Sequence, residues 1–378
     1  MSRTDMGSVV ILGLVVLSLG LSVWTVARET PFDWRFKLSD IPETPEQQAP
    51  VFETLFDYRA PSGQAHAPCL IRNEDALSLL WFEGSAEAQA DVDVYSVQVN
   101  RLGPKWSVGP KQARLTRTGL GQAMDPRQLV VTLGNTVEAG RPGEVLATIV
   151  SIGGWAMASV ADVRFGSGGP EMGRKLNLSP FLNRSNLVKS PLVLFEDGDR
   201  GLPTYFELGT GYSLFARLDA QGRVRETTRL TGPGKPIQPM IVPLDAGNAV
   251  AFLRDLAGSG QLLISRSADG GRSWSHAVPA GLANTNSPVA ALLLEPDQIL
   301  VAANDDPTGG NRLSLLSFRP SDGVWHHLRE LETGDVHARY PVLRHDGEGA
   351  ILLTYSTYNK TGLRLHHFTR SWAEAGDA

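Results

Sequence analysis

The hydrophobic pattern opens on an unbroken run. Ser8 to Val26 carry no charge, and about 20 such residues suffice to take a helix across a bilayer. Beyond it the pattern breaks into short apolar segments, each with proline in second place. They lie at 67–71, 125–131, 190–194, 238–242, 287–292 and 340–343. Their prolines (Pro68, Pro126, Pro191, Pro239, Pro288, Pro341) stand 58, 65, 48, 49 and 53 residues apart. Proline has no N–H to give a sheet and is tolerated at a strand's first residue, which predicts one shared structural position for all six. A turn and a second apolar strand follow in most units, at 77–82, 249–254, 299–303 and 351–355. That spacing predicts hairpins, and a period of about 50 residues suits four-stranded blades. The expected fold is all-β, a six-bladed β-propeller behind an N-terminal transmembrane helix.

The pattern also divides the chain: a signal anchor at 1–27, a linker at 28–50, the propeller at 51–370 and a tail at 371–378. The linker carries Pro31, Pro42, Pro45 and Pro50 among charges, a composition that predicts an extended segment. Phe52 to Tyr58 are expected to close the ring against Leu363 to Phe368. The region from Asn135 to Asn183 yields no clear strands. Flanking charges (Arg3 and Asp5 before the apolar run, Arg28 and Glu29 after it) nearly balance and do not set orientation. The run is longer than a usual signal-peptide core, which favours an uncleaved anchor, with cleavage after Ala27 as the alternative.

Composition narrows the function. The 378 residues are 42% hydrophobic and 20% charged with a net charge of −5, enough for a large core and without the basic footprint of nucleic-acid binding. A lone cysteine, Cys69, precludes an intramolecular disulfide and reads as a buried, inert thiol. The adjacent pairs His326-His327 and His366-His367 point to opposite faces of a strand, so neither chelates a metal. No metal or other cofactor is expected.

Ser267-Ala268-Asp269-Gly270-Gly271-Arg272-Ser273-Trp274 fits S-x-D-x-G-x-x-W at every fixed position. Ser267 and Asp269 are suited to bonding the turn's backbone, Gly271 to an unusual dihedral and Trp274 to plugging between strands. This is the Asp-box of sialidases and related propellers, a structural device. Degenerate copies stand at Gly103 to Trp106 and Ser321 to Trp325. From His66 to Phe368 the chain resembles the bacterial predicted-neuraminidase, or BNR-repeat sialidase-like, family. The matching stretches are 66–71 with 81–84, 237–244 with 251–254, 286–292, and 340–343 with 353–359.

The starts of the innermost strands of a propeller converge on its axis. They bring together His66, Asp125, Lys189 with Ser190, Gln238, Asn286 with Ser287, and Arg339 with Tyr340. A second ring follows the next strand: Glu83, Glu207, Arg254 with Asp255, Asn304 with Asp305, and Tyr355. By resemblance, Tyr340 takes the place of the sialidase tyrosine nucleophile and Arg254 that of an arginine that forks onto the substrate carboxylate. Asp91 best matches the general acid, and its alternation with Asp93 predicts one face of a strand. Three departures accompany the likeness. The glutamate that activates the tyrosine is replaced by Gln238, the first carboxylate-binding arginine is missing from Ala65-His66-Ala67-Pro68, and the third has no clear counterpart at Asn286-Ser287-Pro288. The expectation is a membrane-anchored extracytoplasmic glycoside hydrolase acting on an acidic or substituted sugar of a glycan or exopolysaccharide. In it Tyr340, Asp91 and Gln238 are catalytic, and Arg254, His66, Glu83, Lys189, Asn286 and Tyr355 bind substrate. A non-catalytic glycan-binding propeller in polysaccharide assembly and a polysaccharide lyase are the alternatives.

Overall fold

A computed structural model of the chain describes residues 3–28, 32–42, 48–73, 76–103, 105–166, 168–179 and 183–376. Two compact units are present, residues 1–33 and 34–378. The first holds a helix, Arg3–Arg28, whose stretch Gly7–Thr25 is long and apolar enough to cross a membrane. It fits a signal anchor or a single span. Of the linker prolines, Pro31 and Pro45 lie outside the described residues.

The second unit is a six-bladed β-propeller. Its innermost strands are Gln64–Asn73, Thr132–Glu138, Asn186–Val188 continued by Val193–Phe195, Pro236–Pro243, Ala290–Glu295 and Arg339–His345. Each begins an antiparallel sheet. The second and third strands are buried on both faces and so read as continuous apolar runs, as in Ala350–Thr357, buried throughout. One face packs on the preceding blade and the other on the next. Each pair of neighbouring blades shares an apolar cluster, such as Met240, Phe252, Val301 and Phe318 between blades four and five. The outermost strands face solvent; in Val224–Leu230 only Leu230 is fully buried.

The ring closes as the sequence predicts. Phe52–Arg59 pairs with Gly362–Thr369, Phe52 opposite Phe368 and Tyr58 opposite Leu363. The segment assigned to an extended linker is in part a packed element. From Trp34 the chain lies on the propeller: Phe36–Lys37 pairs with Val193–Phe195, the Phe36 ring stacks on Phe195, and Phe36 is 1% exposed. Its two aromatic anchors outweigh the surrounding charges. The tail is packed too, through a short helix, Arg370–Glu374, whose Trp372 stacks on Phe52 at 4.4 Å.

The proline repeat marks a bulge. In blades one, four and six the register slips by one residue between His66 and Cys69, Ile237 and Met240, and Arg339 and Val342. The two unpaired residues are Ala67-Pro68, Gln238-Pro239 and Tyr340-Pro341, where a missing N–H costs nothing. Ala67, Gln238 and Tyr340 have φ of 54°, 52° and 59°, a left-handed conformation that non-glycine residues adopt at a cost of about 1–3 kcal/mol. Blade two departs from the predicted repeat. Pro126 precedes its inner strand, and the bulge falls at Gly134-Asn135.

Candidate functional site

The bulges of blades four and six turn Gln238 and Tyr340 towards the end of the axis where the inner strands begin, here the upper end. Gln238 joins the residues gathered there. Its Nε2 donates to the hydroxyl oxygens of Tyr205 (3.1 Å) and Tyr340 (3.2 Å), and its Oε1 accepts from Arg254 Nη1 at 3.0 Å. Arg254 also donates from Nε to Asn286 Oδ1 at 2.5 Å. Under Tyr340 lies His66, ring centroids 4.4 Å apart. Lys189 Nζ stands 5.6 Å from the Tyr340 centroid and donates to the Pro341 carbonyl at 3.0 Å. The geometry thus unites Tyr340, Gln238, Arg254, His66, Lys189 and Asn286.

Burial sets the charges. His66 is pushed well below its usual pKa by burial and by the nearby Lys360 and Lys189, so it is neutral. Its Nδ1 meets Ser356 Oγ at 2.7 Å, while its Nε2 is buried without a hydrogen-bond partner, as are Ser190 Oγ and Ser287 Oγ. Burial brings the Lys189 ammonium down to about 8. Tyr205 is raised well above 10 by burial and by Tyr340 and Glu207 beside it. Glu207 is half-buried, and burial raises its carboxyl against the pull of Arg254. Burial also lowers Arg339, helped by the positive charge of Arg254. Arg339 donates to Asn311 Oδ1 (2.9 Å) and the Ala338 carbonyl (3.2 Å). Among the described residues no carboxylate pairs with Arg254 or Arg339. Two repelling guanidiniums, partly removed from water and held by amides and a carbonyl, have the chemistry to accept an anion.

Three predicted residues have their polar groups engaged elsewhere. Asp91 is exposed in the turn before the strand Asp93–Leu102, so Asp91 and Asp93 do not share a strand face. Its carboxylate accepts from Ser85 N (3.0 Å) and Oγ (2.9 Å). Slight desolvation is outweighed by these bonds, which hold Asp91 below its usual pKa, opposite to what a general acid needs. Glu83 is held by Trp81 Nε1 at 2.9 Å, by the Tyr58 hydroxyl and by Lys111 Nζ. Tyr355 is 1% exposed in the apolar layer between blades five and six, its hydroxyl 2.7 Å from Glu332 and 2.8 Å from His366 Nε2. The strand pattern locates both correctly but does not tell which blade face they occupy.

The Asp-box lies at the lower end. Ser267 Oγ donates to Asp269 Oδ1 and accepts from Gly271 N, Asp269 accepts from Ser273 N, and Trp274 Nε1 donates to the Gly271 carbonyl. A Cβ on Gly271 (φ 89°) would come within 2.6 Å of Phe215 and 3.0 Å of Phe36. Cys69 is free and buried, its thiol raised to about 12 by burial and by Glu138. The described residues hold no group of three His, Cys, Asp or Glu side chains suited to a metal.

Sequence reasoning missed Tyr205, which bonds Gln238. Tyr205 lies outside the six X-Pro segments and is marked only by its hydroxyl near a strand end.

The family described as BNR repeat-like domain matches residues 75–353. Among solved structures, Trypanosoma rangeli sialidase superposes with a TM-score of 0.62 at 10% identity, over 87% of this chain and 61% of that one. A protein of unknown function from Dyadobacter fermentans gives 0.63 at 13%, over 84% and 99%. Hadza microbial sialidase Hz136 gives 0.59 at 13%, over 81% and 66%. The chain therefore spans less than two thirds of the length of the trypanosomal sialidase. No curated protein matches the sequence.

Proposed function

The chain belongs to the BNR repeat-like family, and from that premise we propose that its propeller captures an acidic sugar of a glycan or exopolysaccharide. Residues 8–26 would hold it at a membrane, with the propeller on the extracytoplasmic side. One observation carries the reading: among the described residues neither Arg254 nor Arg339 makes an ion pair, and amides hold both, Gln238 and Asn286 on Arg254 and Asn311 on Arg339. A planar guanidinium fork matches a sugar carboxylate, and neighbouring charges of one sign favour a ligand of the other. Titrating the full-length protein in detergent with acidic and neutral oligosaccharides tests this. Acidic members should bind in the wild type and lose affinity in Arg254→Ala. Equal binding of neutral and acidic sugars would end the proposal.

A second reading, retaining glycoside hydrolysis with Tyr340 as nucleophile, is favoured by the position of Tyr340 above His66 and by a free, half-buried carboxyl, Glu207, near Arg254. Against it stands Gln238, whose amide donates to the Tyr340 oxygen and cannot take its proton. Gln238→Glu supplies the missing base. Release of sugar by the wild type, abolished in Tyr340→Phe, would select hydrolysis over capture; gain of activity only in Gln238→Glu would show a binding site derived from a catalytic one.

A further inference from the structure

We propose that Trp155 is a stacking platform for the sugar next to the acidic one, a second subsite on the rim of the same site; the inference rests on the capture reading above. Register makes Gly134 the blade-two counterpart of Gln238 in blade four and Tyr340 in blade six, the first unpaired residue of each bulge. Where those blades send a side chain over the axis, blade two sends none. A ring from the next loop takes the place: a Cβ on Gly134 would lie 2.6 Å from Trp155 Cη2 and 3.1 Å from Cζ3. The indole therefore reaches over the inner strand because residue 134 is glycine.

Trp155 begins a single 3₁₀ turn, Trp155–Met157, after the strand Glu144–Val150. It packs in one cluster with Tyr205, which bonds Gln238, and Ile237, which precedes Gln238. The ring thus borders the polar site by contact. It is only half-buried, and its Nε1 makes no hydrogen bond to any described residue. Ile152 (70% exposed) and Met157 (37%) extend the same loop, and Leu129 (70%) lies on the preceding segment. Large apolar groups left in water beside a polar pocket mark a binding surface. An aromatic ring with one polar N–H fits the apolar C–H face of a pyranose and one of its hydroxyls. The ledge continues the acidic-sugar site, so the occupant is the neighbouring residue of the same oligosaccharide.

The test compares sialyllactose and tetragalacturonate with their acidic monosaccharides, titrated into full-length wild type, Trp155→Ala, Trp155→Phe and Arg254→Ala. Trp155→Ala should weaken at least one oligosaccharide about tenfold while leaving its monosaccharide unchanged, with Trp155→Phe intermediate. Equal oligosaccharide affinity in wild type and Trp155→Ala, with loss in Arg254→Ala, overturns the platform and leaves the acidic site standing. Loss in Trp155→Ala with none in Arg254→Ala overturns the acidic-site reading while keeping Trp155 as a sugar contact. An absence of binding in the wild type overturns both.

Discussion

The two ends of the propeller axis are built from the same six inner strands and differ in almost every other respect. At the upper end the strands begin in bulges, left-handed residues and polar groups, among them guanidiniums without carboxylates. The lower half holds an open cavity of about 390 Å³ lined by apolar groups such as Leu70, Ile241, Val242, Leu292 and Val342 together with the charged Arg72, Glu138 and Arg344, and bordered by the chain's own Lys37–Pro42. The left-handed residues of blades one, four and six all lie at the upper end, where the interrupted pairing aims side chains at the axis. Strain is tolerated where side chains must be aimed and absent where they need only pack.

The largest expected effect breaks the lower end. A Cβ on Gly270 (φ 73°) would sit 1.8 Å from the Trp34 carbonyl. Gly270→Ala should undock Trp34–Lys37 at a cost of about 2–4 kcal/mol, seen as a lower Tm and faster amide exchange in that segment. Sugar binding at the upper end should not change. The converse at the upper end is Arg254→Lys. Losing the planar fork should weaken acidic-sugar binding about tenfold to a hundredfold in calorimetric titration and leave Tm within about 2 °C.

Lys189 lies between the two ends and sharpens the comparison through pH. Its folded pKa of about 8 lies below the ordinary 10.5, so between these values the unfolded chain binds more protons and stability rises with pH. The gain should be about 1–3 kcal/mol from pH 8 to pH 10. Denaturant titrations should show that component in the wild type and lose it in Lys189→Met. The smallest effect is expected at Asp91. If its bonds to Ser85 serve only the turn, Asp91→Asn should leave sugar affinity unchanged and lower Tm by no more than about 2 °C.

Much of the fold is legible because the second strands are buried on both faces and the inner strands carry an X-Pro bulge. Both leave composition signals that repeat. The outer strands, such as Val224–Leu230, face solvent and carry no such signal. Blade two hides for another reason: glycine and asparagine occupy its bulge in place of X-Pro. The site is legible where it depends on those bulges, as at Gln238 and Tyr340. It is not legible where it depends on which blade face a buried residue presents, as for Tyr355, and no pattern marks the loop that folds Trp155 back over Gly134.

The closing strand has a consequence for biosynthesis. Thr54 and His366, 312 residues apart, are joined by a hydrogen bond in the last blade. The strand Phe52–Arg59, made before any of the six inner strands, is therefore the last to find its partner, a pairing whose loop-closure entropy makes folding slow. Until Gly362–Thr369 is made, Phe52–Arg59 offers an unpaired edge to any passing chain. Loss of the final strand through a late stop codon would thus leave that edge, and the gap between the first and last blades, permanently open.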